Sequence, residues 1–311
     1  MFLKNMSIEY VSQTEPQGLL LSTVFAREAV ARDGRFRQLD ETLSVTAESL
    51  TYCQNLNFFQ LAEKNKNVSA IITTALLASE PCSKGLVISA DPRRTFFELY
   101  VRQEQAELPG REMEYGRGDG CRIHPAAIVS PYTRLGHRVE IGPNAVVESS
   151  SVIHDDVYIG PNAIVGAEGL ITIRFDDGRL MRIKHRGGVE IGRGTEILAG
   201  TIVAKSLFQS PTRIAEHCQV GIMANIGHGV SIGPRSVISG NCVVAGRVSV
   251  GADVWVGASA SIAQGLRIGD GAQIKMGAVV ISEVGAEKVV SGNFAAPHRA
   301  TMLEHLRVRS L

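Results

Sequence analysis

An α+β N-terminal domain, then a parallel solenoid of short strands, then a short C-terminal helix is the fold class this sequence predicts. Three observations predict it: a six-residue aliphatic ladder, an uneven spread of glycine, and an opposite spread of aromatics. From Ile214 every sixth residue is Ile or Val, through Val220, Ile226, Ile232, Ile238, Val244, Val250, Val256, Ile262, Ile268, Ile274 and Val280. Ile, Val and Leu fill 22 of the 72 residues in 214–285. Chance would then give twelve in a row at roughly 0.3 to the twelfth power, under about one in a million. Of the 32 glycines, 25 lie beyond residue 120, whereas 11 of the 17 aromatics lie before it.

The ladder has two further runs. Ile123, Val129, Leu135, Ile141, Val147, Ile153, Ile159 and Val165 form one, and Ile191, Ile197 and Val203 form another. A six-residue period is not helical, because 3.6 residues per turn would carry the stripe around the helix axis. It suits a short strand and a bend, repeated, with three units making a coil of 18 residues and the aliphatic residue turned inward on every side. Small residues after the aliphatic one, such as Gly142, Gly160, Gly233 and Gly251, are read as letting the backbone turn without clashes. Two stretches interrupt the pattern. Residues 166–190 read as a hairpin excursion turning at Asp176-Asp177-Gly178, and residues 204–213 shift the register by five. Loops on rigid scaffolds often carry function; a tolerated insertion is the alternative.

The first domain, residues 1–105, reads as mixed α/β. Residues 57–65 (NFFQLAEKN) predict a helix, 68–78 and 85–90 predict strands, and 91–105 predicts a helix opened by Asp91-Pro92. The Gly-rich polar stretch 106–120 reads as a linker, 121–290 as the solenoid, and 291–311 as a tail with a helix over 298–309.

Composition narrows the function classes. Lys+Arg 32 against Asp+Glu 31 leaves a net charge of +1, which gives no electrostatic footprint for nucleic acid or an anionic membrane. No apolar stretch approaches the roughly 18 residues of a membrane span, and the polar sequence after Met1-Phe2-Leu3 predicts no signal peptide. Five scattered cysteines without a CxxC pair predict neither disulfides nor a zinc site, and a reducing, cytoplasmic setting.

Among eight histidines, none paired at metal-ligand helical spacing, His228 is singled out by its column. Gly246 follows one 18-residue coil later and Gln264 two coils later. A glycine beside a histidine leaves room and an approachable N–H, so a base stands near a donor to a developing oxyanion, as acyl transfer needs. A solvated histidine on a bend is the alternative. In the first domain, Tyr52-x-x-Asn55-x-x-Phe58 could sandwich a flat base between two aromatic faces and read its edge with an amide. Two core aromatics are the alternative there.

The hexads resemble those of left-handed parallel β-helix proteins built from hexapeptide repeats. Over about residues 20–290 the chain resembles the family of UDP-3-O-acylglucosamine N-acyltransferases, among the wider nucleotide-sugar N-acyltransferases. The resemblance is carried by GAEGLITIRFDDGRLMRIKHRGGVEIGRGTEILAGT, by QVGIMANIGHGVSIGPRSVISGNCVVAGRVSVG, by LTYCQNLNFFQLAEKNKNVSAIITT and by DPRRTFFELYVRQ. It implies His228 as catalytic base and Gly246 as oxyanion glycine. It implies Tyr52 and Phe58 stacking on a uracil, Asn55 reading it, and Asn225 and Gln264 at the substrate. It further implies an N-acyltransferase for a UDP-linked amino sugar, with an acyl carrier protein or coenzyme A thioester as cosubstrate and no bound cofactor or metal. A homotrimer is implied too, as is a place in lipopolysaccharide or surface polysaccharide biosynthesis. The sequence departs from the family at Gln264, where a second histidine column is expected, and at Gly221, where a carboxylate could orient the base. The tail is one short helix, and SGNFAAPHRA is closer to the ends of CoA-dependent sugar acetyltransferases. An acetyl-CoA-dependent sugar O-acetyltransferase and a non-catalytic β-helix scaffold are the two other functions weighed.

Overall fold

The computed structural model describes residues 18–105, 115–175, 177–292 and 295–309. The chain divides into two units, one formed by residues 1–110 with 170–183 and the other by 111–169 with 184–311.

The first unit is built on a five-stranded sheet in the order Val30–Arg32, Gly85–Ile88, Val68–Thr73, Ser49–Tyr52, Gln38–Leu39. All neighbours are parallel except the first pair. Val68–Thr73 runs through the middle and is buried along almost its whole length, as a strand covered on both faces must be. The expected strand over 68–78 ends at Thr73. Thr74 O accepts from the Ala78 N–H at 3.0 Å, and a 3-10 turn over Leu77–Ser79 follows. Helices occupy Leu56–Lys64 and Pro92–Gln105, close to the expected 57–65 and 91–105. The aromatic excess of the first third is largely core: Phe25, Phe36, Phe59, Phe96 and Phe97 are fully buried.

The expected excursion within 166–190 is a hairpin, Thr172–Arg174 antiparallel to Leu180–Arg182, and it belongs to this first unit. Arg93 Nη2 donates to Thr172 O at 3.2 Å, and the Arg94 guanidinium lies 5.1 Å from the centre of the Phe175 ring. Of its expected turn, Asp176 lies outside the described residues, and Gly178 takes a left-handed φ of 84°.

The second unit is a parallel β-helix. Its three sheets hold eight, eight and ten strands, each strand two to four residues long. Stacked pairs such as Ile214↔Ile232, Val220↔Ile238 and Ile226↔Val244 keep the 18-residue register. The register jumps where Val152 pairs with Glu190 and where Glu190 pairs with Arg213, the places expected from the two interruptions. The ladder residues form one continuous core, most of them fully buried. Each such Ile or Val contributes about 1.5–3 kcal/mol on burial.

Most bends follow one pattern, counted from the inward aliphatic residue. The fourth residue turns inward and is usually small or Val. Where it is polar it generally bonds to a carbonyl of the next coil, as Thr195 Oγ1 does to Ala215 O at 2.7 Å and Cys242 Sγ to Gly257 O at 3.1 Å. No cysteine is in a disulfide. The third residue takes the left-handed conformation, and it is usually not glycine: Arg138, Asn144, Asp156, Arg235, Asn241 and Asp253 all do so. The chain thus turns at the third residue, and the glycines after the aliphatic residue keep the bend free of clashes, as expected. Those glycines are needed because adjacent coils approach too closely for a side chain: a methyl group on Gly233 would stand 2.5 Å from the carbonyl carbon of Gly251.

The first strand of the β-helix, Gly116–Arg117, pairs with Arg134–Leu135 inside the stretch expected as linker, of which 106–114 lies outside the described residues. At the far end Val289–Ser291 pairs in parallel with Gln273–Ile274. Asn293 and Phe294 of the tail motif lie outside the described residues. The expected final helix spans His298–Arg309 and leaves Met302, Leu303 and Val308 exposed. No helix among the described residues is long and apolar enough to cross a membrane.

Candidate active site

One face of the β-helix gathers the site. Its consecutive strands Ile164–Ala167, Ile202–Ala204, Asn225–Ile226 and Val243–Val244 are parallel neighbours. Both interruptions leave from the ends of the first two, and the bends after the next two carry His228 and Gly246. The irregular segments and the singled-out histidine thus share one corner of the scaffold.

His228 and Gly246 stand second after the aliphatic residue of their hexads, the position that proline fills at Pro125, Pro143, Pro161 and Pro234. Proline has no N–H, so the ladder cannot depend on a donor there. The column expected from counting is present: Arg247 N–H donates to His228 O at 2.9 Å, and Gly265 N–H donates to Gly246 O at 3.0 Å. Gln264 follows as the exposed third member. Asn225, also exposed, lies on the strand that leads to His228.

The space expected over Gly246 is taken up by the histidine itself. Gly246 is buried, and a methyl group added there would stand 2.6 Å from His228 Nε2 and 2.8 Å from Cε1. The glycine is thus what allows the ring to lie against the next coil. Gly229, which follows His228 with φ 66°, donates its N–H to Thr212 Oγ1 at 2.8 Å, tying this bend to the second interruption.

His185, which packs on His228, and Glu168 and Lys205 behind it were not singled out in the sequence. The ring of His185, on the return from the hairpin, is edge-on to that of His228, with centres 5.2 Å apart and planes at 65°. Its side chain is 0% exposed. Glu168, just before the hairpin, accepts from the His185 backbone N–H at 3.1 Å through Oε2, which lies 3.6 Å from His185 Nδ1. The other oxygen of Glu168 pairs with Lys205 Nζ at 2.6 Å. Lys205 continues the His228 column when coils are counted across the second interruption, so that count could have found it. A hairpin residue has no column, and nothing in the ladder points to His185.

The electrostatics follow from this packing. Burial, then His185, then the positive Arg247, push the His228 pKa down to about 4, so the imidazole is neutral at neutral pH. Burial alone would raise the Glu168 carboxyl. The Lys205 hydrogen bond, the His185 N–H and the Lys205 charge outweigh it and hold the carboxyl below its ordinary value, ionised. A neutral imidazole with an exposed approach can accept a proton from a nucleophile that attacks beside it.

In the first unit, Tyr52 ends a parallel strand and Asn55 caps the helix that follows, at the carboxyl end of the strand, where open α/β sheets place ligands. Asn55 Oδ1 accepts from the Phe58 N–H at 3.0 Å, a cap worth about 1 kcal/mol. The cap engages only the oxygen of the amide. Tyr52 is half-buried, its ring 5.1 Å from Phe96 and 5.9 Å from Phe97, whereas Phe58 is 50% exposed. One aromatic of the expected pair therefore leans on the core and the other faces solvent.

No curated protein matches the chain significantly. Among solved structures it is similar to the UDP-N-acetylglucosamine O-acyltransferase of Moraxella catarrhalis, at 21% identity over 60% of this chain and 76% of that one, with a TM-score of 0.41. It is similar to the UDP-N-acetylglucosamine acyltransferase of Campylobacter jejuni, at 22% identity over 57% and 74%, TM-score 0.46. It is also similar to a mutant of perosamine N-acetyltransferase from Caulobacter crescentus in complex with CoA and GDP-perosamine, at 16% identity over 82% and 98%, TM-score 0.29. Residues 211–245, which include His228, and 247–282, which begin just after Gly246, match the hexapeptide repeat of succinyl-transferase.

Proposed function

We propose that the protein is an N-acyltransferase that moves an acyl group from an acyl carrier protein or coenzyme A thioester to the amine of a UDP-linked amino sugar. The observation that carries this reading is the neutral His228 imidazole lying against Gly246 in a bend whose second N–H the ladder does not use. The matched repeat, that of succinyl-transferase, supports acyl transfer as the class of chemistry. The amine attacks the thioester carbonyl, a C–N bond forms, and the carbonyl electron pair moves to oxygen. His228 takes a proton from the attacking nitrogen. The Gly246 N–H donates to the oxyanion, whose negative charge in turn favours the imidazolium. On collapse the C–S bond breaks, the sulfur leaves with the electron pair, and the imidazolium returns the proton to it.

Tyr52, Asn55 and Phe58 hold the uracil in this reading, with Phe58 as the exposed stacking face and the Asn55 NH2 as the donor left by the cap. Asn225 and Gln264 flank the sugar end as neutral hydrogen-bonding groups. The assembly is a homotrimer. The test is to incubate the protein with UDP-linked amino sugars and either acyl-coenzyme A or acyl-carrier protein, and to weigh the products. A mass increase equal to the acyl group, on the amine and not on a hydroxyl, is the expected result. No acylated product with any pairing would overturn the reading, and acylation of a hydroxyl would replace it with sugar O-acetyl transfer.

A further inference from the structure

We infer that His185 is a positioning residue for His228: its buried ring, anchored by Glu168 at the root of the hairpin excursion, holds the His228 imidazole edge-on against Gly246. This inference rests on the acyl-transfer reading for its meaning, though not for its measurement.

A catalytic imidazole needs something to fix its plane and to settle which nitrogen carries the proton. Gly221, where the family resemblance implies a carboxylate for this task, has no side chain. What faces His228 instead comes from outside the repeat. The His185 ring meets it at 65° with centres 5.2 Å apart, an edge-to-face arrangement that opposes rotation of either ring. Arg247, one coil on, is the other charged group bearing on it.

His185 is in turn held on three sides. Glu168 Oε2 accepts from its backbone N–H, and the same oxygen lies 3.6 Å from Nδ1. Gly169 stands so close that a methyl group there would be 2.6 Å from Nε2. The segment on its C-terminal side pairs with the second interruption, Arg186 N–H to Leu207 O at 3.1 Å and Gly187 N–H to Ser206 O at 2.9 Å. Lys205 fixes Glu168 from that same segment. The two interruptions therefore brace each other through Glu168 and Lys205, and the part they present to His228 is a ring. A tolerated insertion would have no need of a buried histidine joined to an ion pair at its root.

The experiment uses the full chain. Ring resonances of His228, assigned by their loss in His228→Ala, are titrated by NMR in the wild type and in His185→Phe, His185→Gln and Glu168→Gln. His185→Phe keeps a flat ring but removes both nitrogens, and Glu168→Gln loosens the anchor without touching the buried ring. In His185→Phe the His228 titration should move up toward its ordinary value. The kcat for acyl transfer should fall about 10-fold to 100-fold in all three variants, with KM for the nucleotide sugar little changed. Glu168→Gln should reproduce the loss of kcat in a chain that is still folded at the assay temperature. An unchanged His228 titration in His185→Phe and His185→Gln, or unchanged kcat and pH profile in a folded Glu168→Gln, overturns the inference. If the wild type acylates nothing while the titration still moves, the function fails and the contact between the rings stands. If either His185 variant does not fold, the other and Glu168→Gln decide by the same readings.

Discussion

Two stretches of the same β-helix behave as opposites. From Ile214 to Val280 the hexads run without a break, and every sixth residue is a buried Ile or Val. Between Ile164 and Ile214 the chain leaves the ladder twice, and Glu168, His185 and Lys205 meet there, buried or half-buried, in contacts that no repeat dictates. His228 stands where the two regimes adjoin. Its backbone belongs to the regular ladder, and its ring is set by the irregular segments. Regularity supplies a rigid corner, and irregularity supplies the environment that makes one corner histidine unlike His217, which occupies the left-handed bend position one hexad-column away.

Two glycine substitutions sharpen that contrast, because each adds one methyl group to the same kind of bend. At Gly246 the nearest atoms the methyl group meets are the end of a side chain, the His228 ring, and none of them is backbone. Gly246→Ala should therefore leave the fold intact, with thermal unfolding close to wild type, and lower kcat about 100-fold by displacing the base. At Gly233 the methyl group meets backbone atoms of Gly251 that have nowhere to go. Gly233→Ala should cost about 1–3 kcal/mol in denaturant unfolding and change kcat little in the fraction that is folded. Equal losses of stability in the two variants would break the distinction between corner and site.

A smaller effect concerns acid. His228 titrates near its ordinary 6.5 in the unfolded chain and at about 4 in the folded one. Its pKa is depressed on folding, so the unfolded chain binds the proton first as the pH falls from about 6.5 toward 4. The folded state loses stability across that window, and above it the group is neutral in both states. His228→Phe, which cannot take up that proton, should shift the acid-unfolding midpoint to lower pH. A midpoint moved to higher pH would contradict a buried neutral imidazole.

Much of this was readable from the residues, for a physical reason in each case. The 18-residue coil is set by strand and bend lengths that do not vary, so counting from Ile214 located His228, Gly246 and Gln264 in one column without coordinates. The glycines after the aliphatic residue are legible as small positions, whereas the left-handed turn two residues later is held by Arg, Asn and Asp as well as glycine and carries no single residue type. The first strand was missed because Arg117 occupies the inward position, which at the end of the core need not be apolar. His185 could not be found by any count, since the hairpin before it has no fixed length. In the first unit the motif Tyr52-x-x-Asn55-x-x-Phe58 was legible as a cluster. That Asn55 would cap a helix follows from its place before an apolar run, and only the structure separates the leaning Tyr52 from the exposed Phe58.

The most direct test of the account is the turnover of His228→Ala against wild type, measured with a UDP-linked amino sugar and an acyl thioester, alongside UDP binding by calorimetry. Loss of a general base should lower kcat by about 10²–10⁴ while the affinity for UDP, which the proposed function assigns to Tyr52, Asn55 and Phe58, is unchanged. Turnover within a few-fold of wild type in a variant that still binds UDP would contradict it.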